Sequence, residues 1–148
     1  MRLFLDANVL FSAAYMDKSR TGSLFRLAEV ELCELMASPY AIEEARRNLA
    51  IKRAERLSVF SRLTAVLTIC PEPSKDYIEW ALAQGLGLKD APILAAAAQA
   101  KADLLVTGDR TDFGHLYRRT LRGVEPLPPA DVPYRILSAA GPCFEAEA

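Results

Sequence analysis

The stretch DAPILAAAAQAKADLLVTGD (90–109) sets a helix directly before a buried strand, and that pairing decides the fold class. Asp90-Ala91-Pro92 reads as a helix start, with aspartate as the cap and proline in the first turn. The alanine-rich run that follows is helical and ends near Lys101. Asp103 to Thr107 (DLLVT) is the cleanest buried strand in the chain, and Gly108-Asp109 closes it as a turn.

Working outward, the same alternation recurs. Arg2 to Leu5 reads as a short buried strand ending at Asp6. Apolar positions at helical spacing follow over Asn8–Tyr15 and Gly22–Glu29. Glu31–Ala37 reads as a second strand. Ser38-Pro39 opens a helix to about Ala50, and the charged stretch Lys52–Arg56 leads into another over Leu57–Leu67. A short extended piece follows around Leu67–Cys70. Ser74 begins a helix to about Gln84, broken at Gly85–Gly87. Beyond the DLLVT strand, Val124–Pro126 reads as a last strand, and Pro128-Pro129 precedes a final helix to about Ala139. Short apolar strands alternating with helices predict an α/β layered domain with a mainly parallel sheet. Residues 1–140 are expected to form one domain, with 141–148 as a frayed tail.

The 148 residues suit one domain, and 51% hydrophobic content is enough for a core. The net charge of −1 gives no overall pull toward nucleic acid, so a polyanionic partner would be met by local basic patches and bound cations. Cys33, Cys70 and Cys143 are odd in number and far apart, which argues for reduced cytosolic thiols rather than a disulfide framework or zinc knuckle. A cytoplasmic protein is expected. The apolar run after Arg2 reaches Asp6 at once, unlike a secretory leader, and no apolar stretch is long enough to span a bilayer.

In a parallel sheet, ligands bind beyond the carboxyl ends of the strands. Asp6 and Asp109 each close a strand and so belong at that edge. Asp6 has the weakest ordinary explanation, since a carboxylate directly after a buried strand is costly unless something pairs with it. Gly108-Asp109 can be an ordinary turn, and Asp90 an ordinary helix cap. Spacing alone puts the start of the Asp90 helix near the opposite edge, unless its preceding loop crosses over. On the helix from Pro39, a projection of about 100° per residue puts Glu44 at the edge of the apolar stripe, beside Ala41 and Asn48. Glu43 lies further round and can pair with Arg47. Carboxylates sharing one cleft stay ionised together only with a cation between them. Oxygen ligands favour Mg²⁺ or Mn²⁺, which lowers the pKa of a bound water and stabilises charge on a phosphoryl oxygen.

These residues resemble the PIN-domain family across nearly the whole chain. The matching segments are LFLDANVLFSA (3–13), SPYAIEEARRNL (38–49), KDAPILAAAAQAKADLLVTGD (89–109) and RTDFGHLY (110–117). The resemblance implies a three-layer α/β/α sandwich and metal-dependent cleavage of RNA. It assigns the catalytic, metal-holding acids to Asp6, Glu44, Asp90 and Asp109, and it brings Asp90 to the same pocket as the others. Many bacterial and archaeal members are toxins of toxin–antitoxin pairs, so an antitoxin joins RNA as an expected partner. Exposed apolar surface on the first helices would suit a homodimer or an inhibitor segment.

Auxiliary candidates are Asn8, Thr107 and Asp112, each with an ordinary alternative as cap, strand end or solvated loop acid. Arg46, Arg47 and Arg110 are candidates for RNA-backbone contacts, against a default reading of solvated helix faces. The lone His115 is expected to be structural, beside Phe113 and Tyr117. Trp80, Phe4, Phe25 and Phe60 are read as core or interface. Two other functions stay open. A haloacid-dehalogenase-type phosphohydrolase also starts from an aspartate after the first strand, but Asn8 stands where that chemistry needs a second acid. The other is a catalytically silent domain that binds metal, RNA or a partner.

Overall fold

In a computed structural model, which describes residues 1–139, five parallel strands run in the order β3-β2-β1-β4-β5. They are β1 (Arg2–Leu5), β2 (Glu34–Ala37), β3 (Thr68–Ile69), β4 (Leu104–Val106) and β5 (Glu125–Leu127). The residues expected to form the tail, 141–148, lie outside the described range.

The helices are α1 (Ala7–Tyr15), α2 (Arg20–Glu29), α3 (Pro39–Lys52), α4 (Leu57–Thr64), α5 (Lys75–Leu82), α6 (Ala91–Gln99), α7 (Arg110–Phe113) and α8 (Val132–Ala139). α1 packs on α2, α3 and α4, while α5 packs on α6, which gives the layered α/β/α arrangement. β1 is central, pairing with β2 on one side and β4 on the other. Its Leu3, Phe4 and Leu5 are completely buried, as expected of a strand covered on both faces. α6 buries Ala91 and every residue from Ile93 to Ala98. Small side chains let this helix lie close against its neighbours without leaving voids. Phe4, Phe25 and Phe60 are core residues, and Trp80 packs partly buried against the core.

Caps fix the helix starts. The hydroxyls of Ser19, Ser38 and Ser74 accept from Gly22, Ala41 and Tyr77 backbone N–H groups. The charged Lys52–Arg56 stretch ties α3 to the end of α1. Arg56 donates to Ala14 O at 2.7 Å, and Arg53 donates to Tyr15 O, so two orphan helix carbonyls meet guanidinium groups.

Two boundaries differ from expectation by three residues. β2 starts at Glu34 rather than Glu31, because Glu31 ends α2 in the left-handed region at φ 60°. Glu31 N–H bonds to Ala28 O and Leu32 N–H to Leu27 O, the paired closure of a helix C-terminus. α4 stops at Thr64, because Val66 and Leu67 bond back three residues in a tight turn that leads into β3. His115, expected to be structural beside Phe113 and Tyr117, reaches instead to the end of α5. Its Nε2 lies 2.9 Å from Gln84 O, next to Gly85, whose φ of 87° needs a glycine.

Candidate active site

The register of β1 against β4 pairs Leu5 with Val106, so Asp6 and Thr107 leave the sheet side by side. Asp6 N–H bonds to Val106 O at 3.0 Å, and the Thr107 hydroxyl donates to Asp6 Oδ2 at 2.8 Å. Asp6 caps α1, with Oδ1 accepting from Ala7 N–H at 2.7 Å. Asn8 works from both ends of its amide. Its Nδ2 donates to Asp6 Oδ2 (3.1 Å) and Thr107 Oγ1 (3.3 Å), and its Oδ1 accepts from Gly108 N–H (2.9 Å). Asn8 and Thr107, the first two auxiliary candidates, therefore fix the orientation of Asp6 and the turn after β4.

A cavity of ≈ 440 Å³ opens above this edge. Asp6, Glu44, Asp90 and Asp109 all line it, together with Asn8, Asn48, Lys52 and Lys89. The loop before α6 crosses to the carboxyl edge, which the spacing alone did not supply. Asp90 stands at the helix start without accepting any capping hydrogen bond, so the ordinary cap explanation fails there. Asp109 does cap the short helix α7, accepting from Asp112 N–H at 3.0 Å.

Among the described residues, Asp90, Asp109 and Asp112 are the acids whose oxygens lie within 4.8 Å of one another. The tightest cluster thus includes Asp112, expected only as an auxiliary, while Asp6 and Glu44 line the cavity outside it. Asp109 and Asp112 are three residues apart and so share a helix face. α7 is too short to announce itself by apolar periodicity.

The electrostatics follow from crowding. Burial pushes the Asp6 carboxyl up to about 6, against hydrogen bonds from Thr107 and Ala7; the negative charges of Glu44 and Asp109 push the same way as burial. Asp90 is pushed up to about 7 by burial, then by a hydrogen bond and charge repulsion from Asp112, then by Asp6 and Asp109. Among the described residues no cationic side chain lies within salt-bridge reach of Asp6, Asp90, Asp109 or Asp112. Glu44 meets Lys89 Nζ at 3.2 Å. Tyr40 donates its hydroxyl to Lys89 O at 3.0 Å, tying α3 to the loop that carries Asp90.

Such a site has surplus negative charge and hard oxygen donors. Protons or a small divalent cation relieve that surplus, so the donor set fits an oxygen-loving cation. The same chemistry excludes softer, sulfur-preferring metals: Cys33 and Cys70 do not line the cavity.

The arginines expected at the nucleic acid are arranged otherwise. Glu43 takes Arg46 at 2.9 Å through Nε and Arg47 at 3.8 Å, on the α3 face away from the cavity. Arg46 was not expected as that partner; it replaces Arg47 as the nearer one. Lys52 and Lys89 line the cavity instead. Arg110 lines an adjoining groove. Lys52 was legible from spacing, since Glu44, Asn48 and Lys52 recur every four residues on one helix face.

A family profile described as PIN domain matches residues 2–111. No curated protein sequence matches the chain. Solved structures show the same fold at low identity. VapBC2 from Rickettsia felis, solved bound to a DNA fragment from its promoter, aligns with TM-score 0.67 and 17% identity over 86% of this chain and 98% of that one. PAE2754 from Pyrobaculum aerophilum aligns with TM-score 0.65 and 17% identity, covering 93% and 96%. VapC20 from Mycobacterium tuberculosis, described as a toxin that cleaves the sarcin–ricin loop, gives TM-score 0.54 and 17% identity over 72% and 91%.

Proposed function

The chain belongs to the PIN-domain family, and on that premise we propose that it is a divalent-metal-dependent endoribonuclease, the toxin of a toxin–antitoxin pair. The observation that carries this reading is the convergence of Asp6, Glu44, Asp90 and Asp109 on one cavity. Two of these acids hold protons unusually tightly, which is what crowded carboxylates do when no cation compensates them.

In this reading Asp6, Asp90 and Asp109 hold Mg²⁺ or Mn²⁺, with Glu44 and Asp112 completing the ligand set. When bound, the cation supplies an activated water and neutralises charge developing on the phosphate. The chain's own residues do the rest. Thr107 and Asn8 hold Asp6 in one orientation, so its oxygens are placed before the cation arrives. Lys89 keeps Glu44 paired. Lys52 and Lys89 meet the phosphate backbone and offset repulsion between the acidic cavity and a polyanion. The antitoxin partner is proposed from likeness to structures described as VapBC complexes. Among the described residues no helix is long and apolar enough to cross a membrane.

The test is incubation of the purified chain with single-stranded RNA, single-stranded DNA and a generic phosphomonoester, with Mg²⁺, Mn²⁺ or EDTA. RNA cleavage that needs the metal and is lost in Asp6→Asn is expected. Turnover of the monoester without RNA cleavage would make the protein a phosphohydrolase. No turnover of any substrate would leave a binding module.

A further inference from the structure

A second groove of ≈ 410 Å³ adjoins the acidic cavity along α1, a volume typical of sites for small ligands. Phe11, Gly108 and Pro129 line both spaces, so the two adjoin. The groove adds Tyr15, Arg20 and Arg110. Its chemistry is opposite to that of the cavity: aromatic and cationic where the cavity is acidic.

Phe11 and Tyr15 lie one helical turn apart on α1, with ring centroids 5.2 Å apart and planes inclined at 33°. Each ring is held by a cation. Lys52, which lines the acidic cavity, sits over Phe11 at 5.4 Å, and Arg53, outside the groove, sits over Tyr15 at 5.2 Å. Phe11 therefore stands at the junction, between the cavity where a phosphate would be cut and the groove beyond it. Neither Arg20 nor Arg110 makes an ion pair among the described residues, although each lines the groove. Uncompensated guanidinium groups at the rim favour a polyanion over a neutral apolar peptide.

We propose that this groove is a nucleobase subsite. The base of the nucleotide adjoining the scissile phosphate stacks on Phe11 and Tyr15, and Arg110 and Arg20 meet the next phosphate along the strand. Aromatic rings combined with arginine are how proteins hold unstacked bases of single-stranded nucleic acid. The subsite rests on the nuclease reading. It adds a position for the base beside the cut, which must be unpaired there because a base held in a duplex cannot turn onto these rings.

The test compares wild type, Phe11→Leu, Tyr15→Leu and Arg110→Gln on a randomised single-stranded RNA with Mn²⁺. It also cross-links 5-iodouridine-substituted RNA to the chain with Ca²⁺ in place of Mn²⁺. Leucine keeps apolar volume while removing the π face, and thermal melting checks the fold of each variant. Wild type should prefer certain bases at one nucleotide flanking the cut, and cross-links should map to the peptide carrying Phe11 and Tyr15. Phe11→Leu should raise KM about 10-fold, the size of one lost stacking contact, with a much smaller change in kcat and a flattened base preference. Arg110→Gln should leave the base preference and lower the salt dependence of KM by about one counterion. If wild type cuts RNA but Phe11→Leu keeps its KM and base preference, the base subsite is wrong, and the groove belongs to a protein segment. If wild type neither cuts nor cross-links RNA, the nuclease reading itself falls.

Discussion

Raising the pH should destabilise the metal-free protein, and adding metal should reverse that trend. Asp6 is pushed from 3.8 to about 6 in the folded state. A folded pKa above the unfolded one means that the fold binds the proton more tightly. The resulting stabilisation is complete below pH 3.8 and is lost as pH rises through about 6. The full titration is worth about 3 kcal/mol, and roughly half of it, about 1.4 kcal/mol, is lost between about pH 5 and pH 8. Asp90, pushed up to about 7, acts in the same direction with its loss centred higher, but it is partly exposed and solvent screens its share. Asp17 and Glu43 act oppositely: arginines hold both carboxyls down, so their contributions fade only as pH falls below this window.

Differential scanning fluorimetry in EDTA should therefore show Tm falling by about 3–5 °C from about pH 5 to 8. Mn²⁺ binds only ionised carboxylates, so its stabilisation grows with pH and reaches about 2.7 kcal/mol at 100 times its Kd. With Mn²⁺ the slope should flatten or change sign. Asp6→Asn should shrink the slope in EDTA. Its absolute stability is a poorer guide, because the new amide confronts the Asn8 Nδ2 and Thr107 hydroxyl donors. A metal-free Tm that rises from pH 5 to 8, or a slope indifferent to Mn²⁺, would refute the account of a crowded, cation-seeking site.

Thr107→Val keeps shape but removes the donor to Asp6 Oδ2 and the acceptor for Asp109 N–H; calorimetry should find metal affinity reduced about 10–100-fold. Lys89→Gln breaks the ion pair between an exposed lysine and the half-buried Glu44, so Tm should fall only slightly, while the salt dependence of RNA binding drops by about one counterion. Gly85→Ala puts a Cβ at φ 87°, 3.1 Å from His115 Nε2, and denaturant melts should show a loss of at least about 1–2 kcal/mol.

How the chain announces its fold depends on which physical rule governs each element. The strands are legible because full burial demands unbroken apolar runs, as in LFL before Asp6 and LLV before Thr107. The start of α3 is legible because Ser38 and Pro39 have few other uses in that order. Helix ends are less so. Glu31 takes the left-handed conformation that usually advertises itself with glycine, and no local pattern marks it; Lys101 takes it too, but there the end of the alanine run marks the stop. α3 extends to Lys52, past the expected Ala50, and that last half-turn carries a lysine to the cavity. Charge runs alone pointed to Arg46 and Arg47, which the helical rotation turns toward Glu43 instead.

Asp90 shows why the site's centre was only half visible. From sequence it has a satisfactory ordinary role, because an aspartate before Ala-Pro caps a helix well. In the structure it forgoes that role: its carboxylate accepts no bond from the helix N–H groups and is crowded instead against Asp112, raising both desolvation and repulsion. A local helix cap has been exchanged for a carboxyl pair, hydrogen-bonded when one member is protonated and repulsive when both are ionised, at the mouth of a buried alanine helix. Folded chains break local rules mainly where function compensates. No lysine or arginine among the described residues comes within salt-bridge reach of Asp90, so the crowding is relieved by a proton shared with Asp112 or, in the proposed function, by a bound cation. The acid that sequence alone could most easily dismiss as structural is thus the one that the structure draws away from its cap and into the acidic cluster.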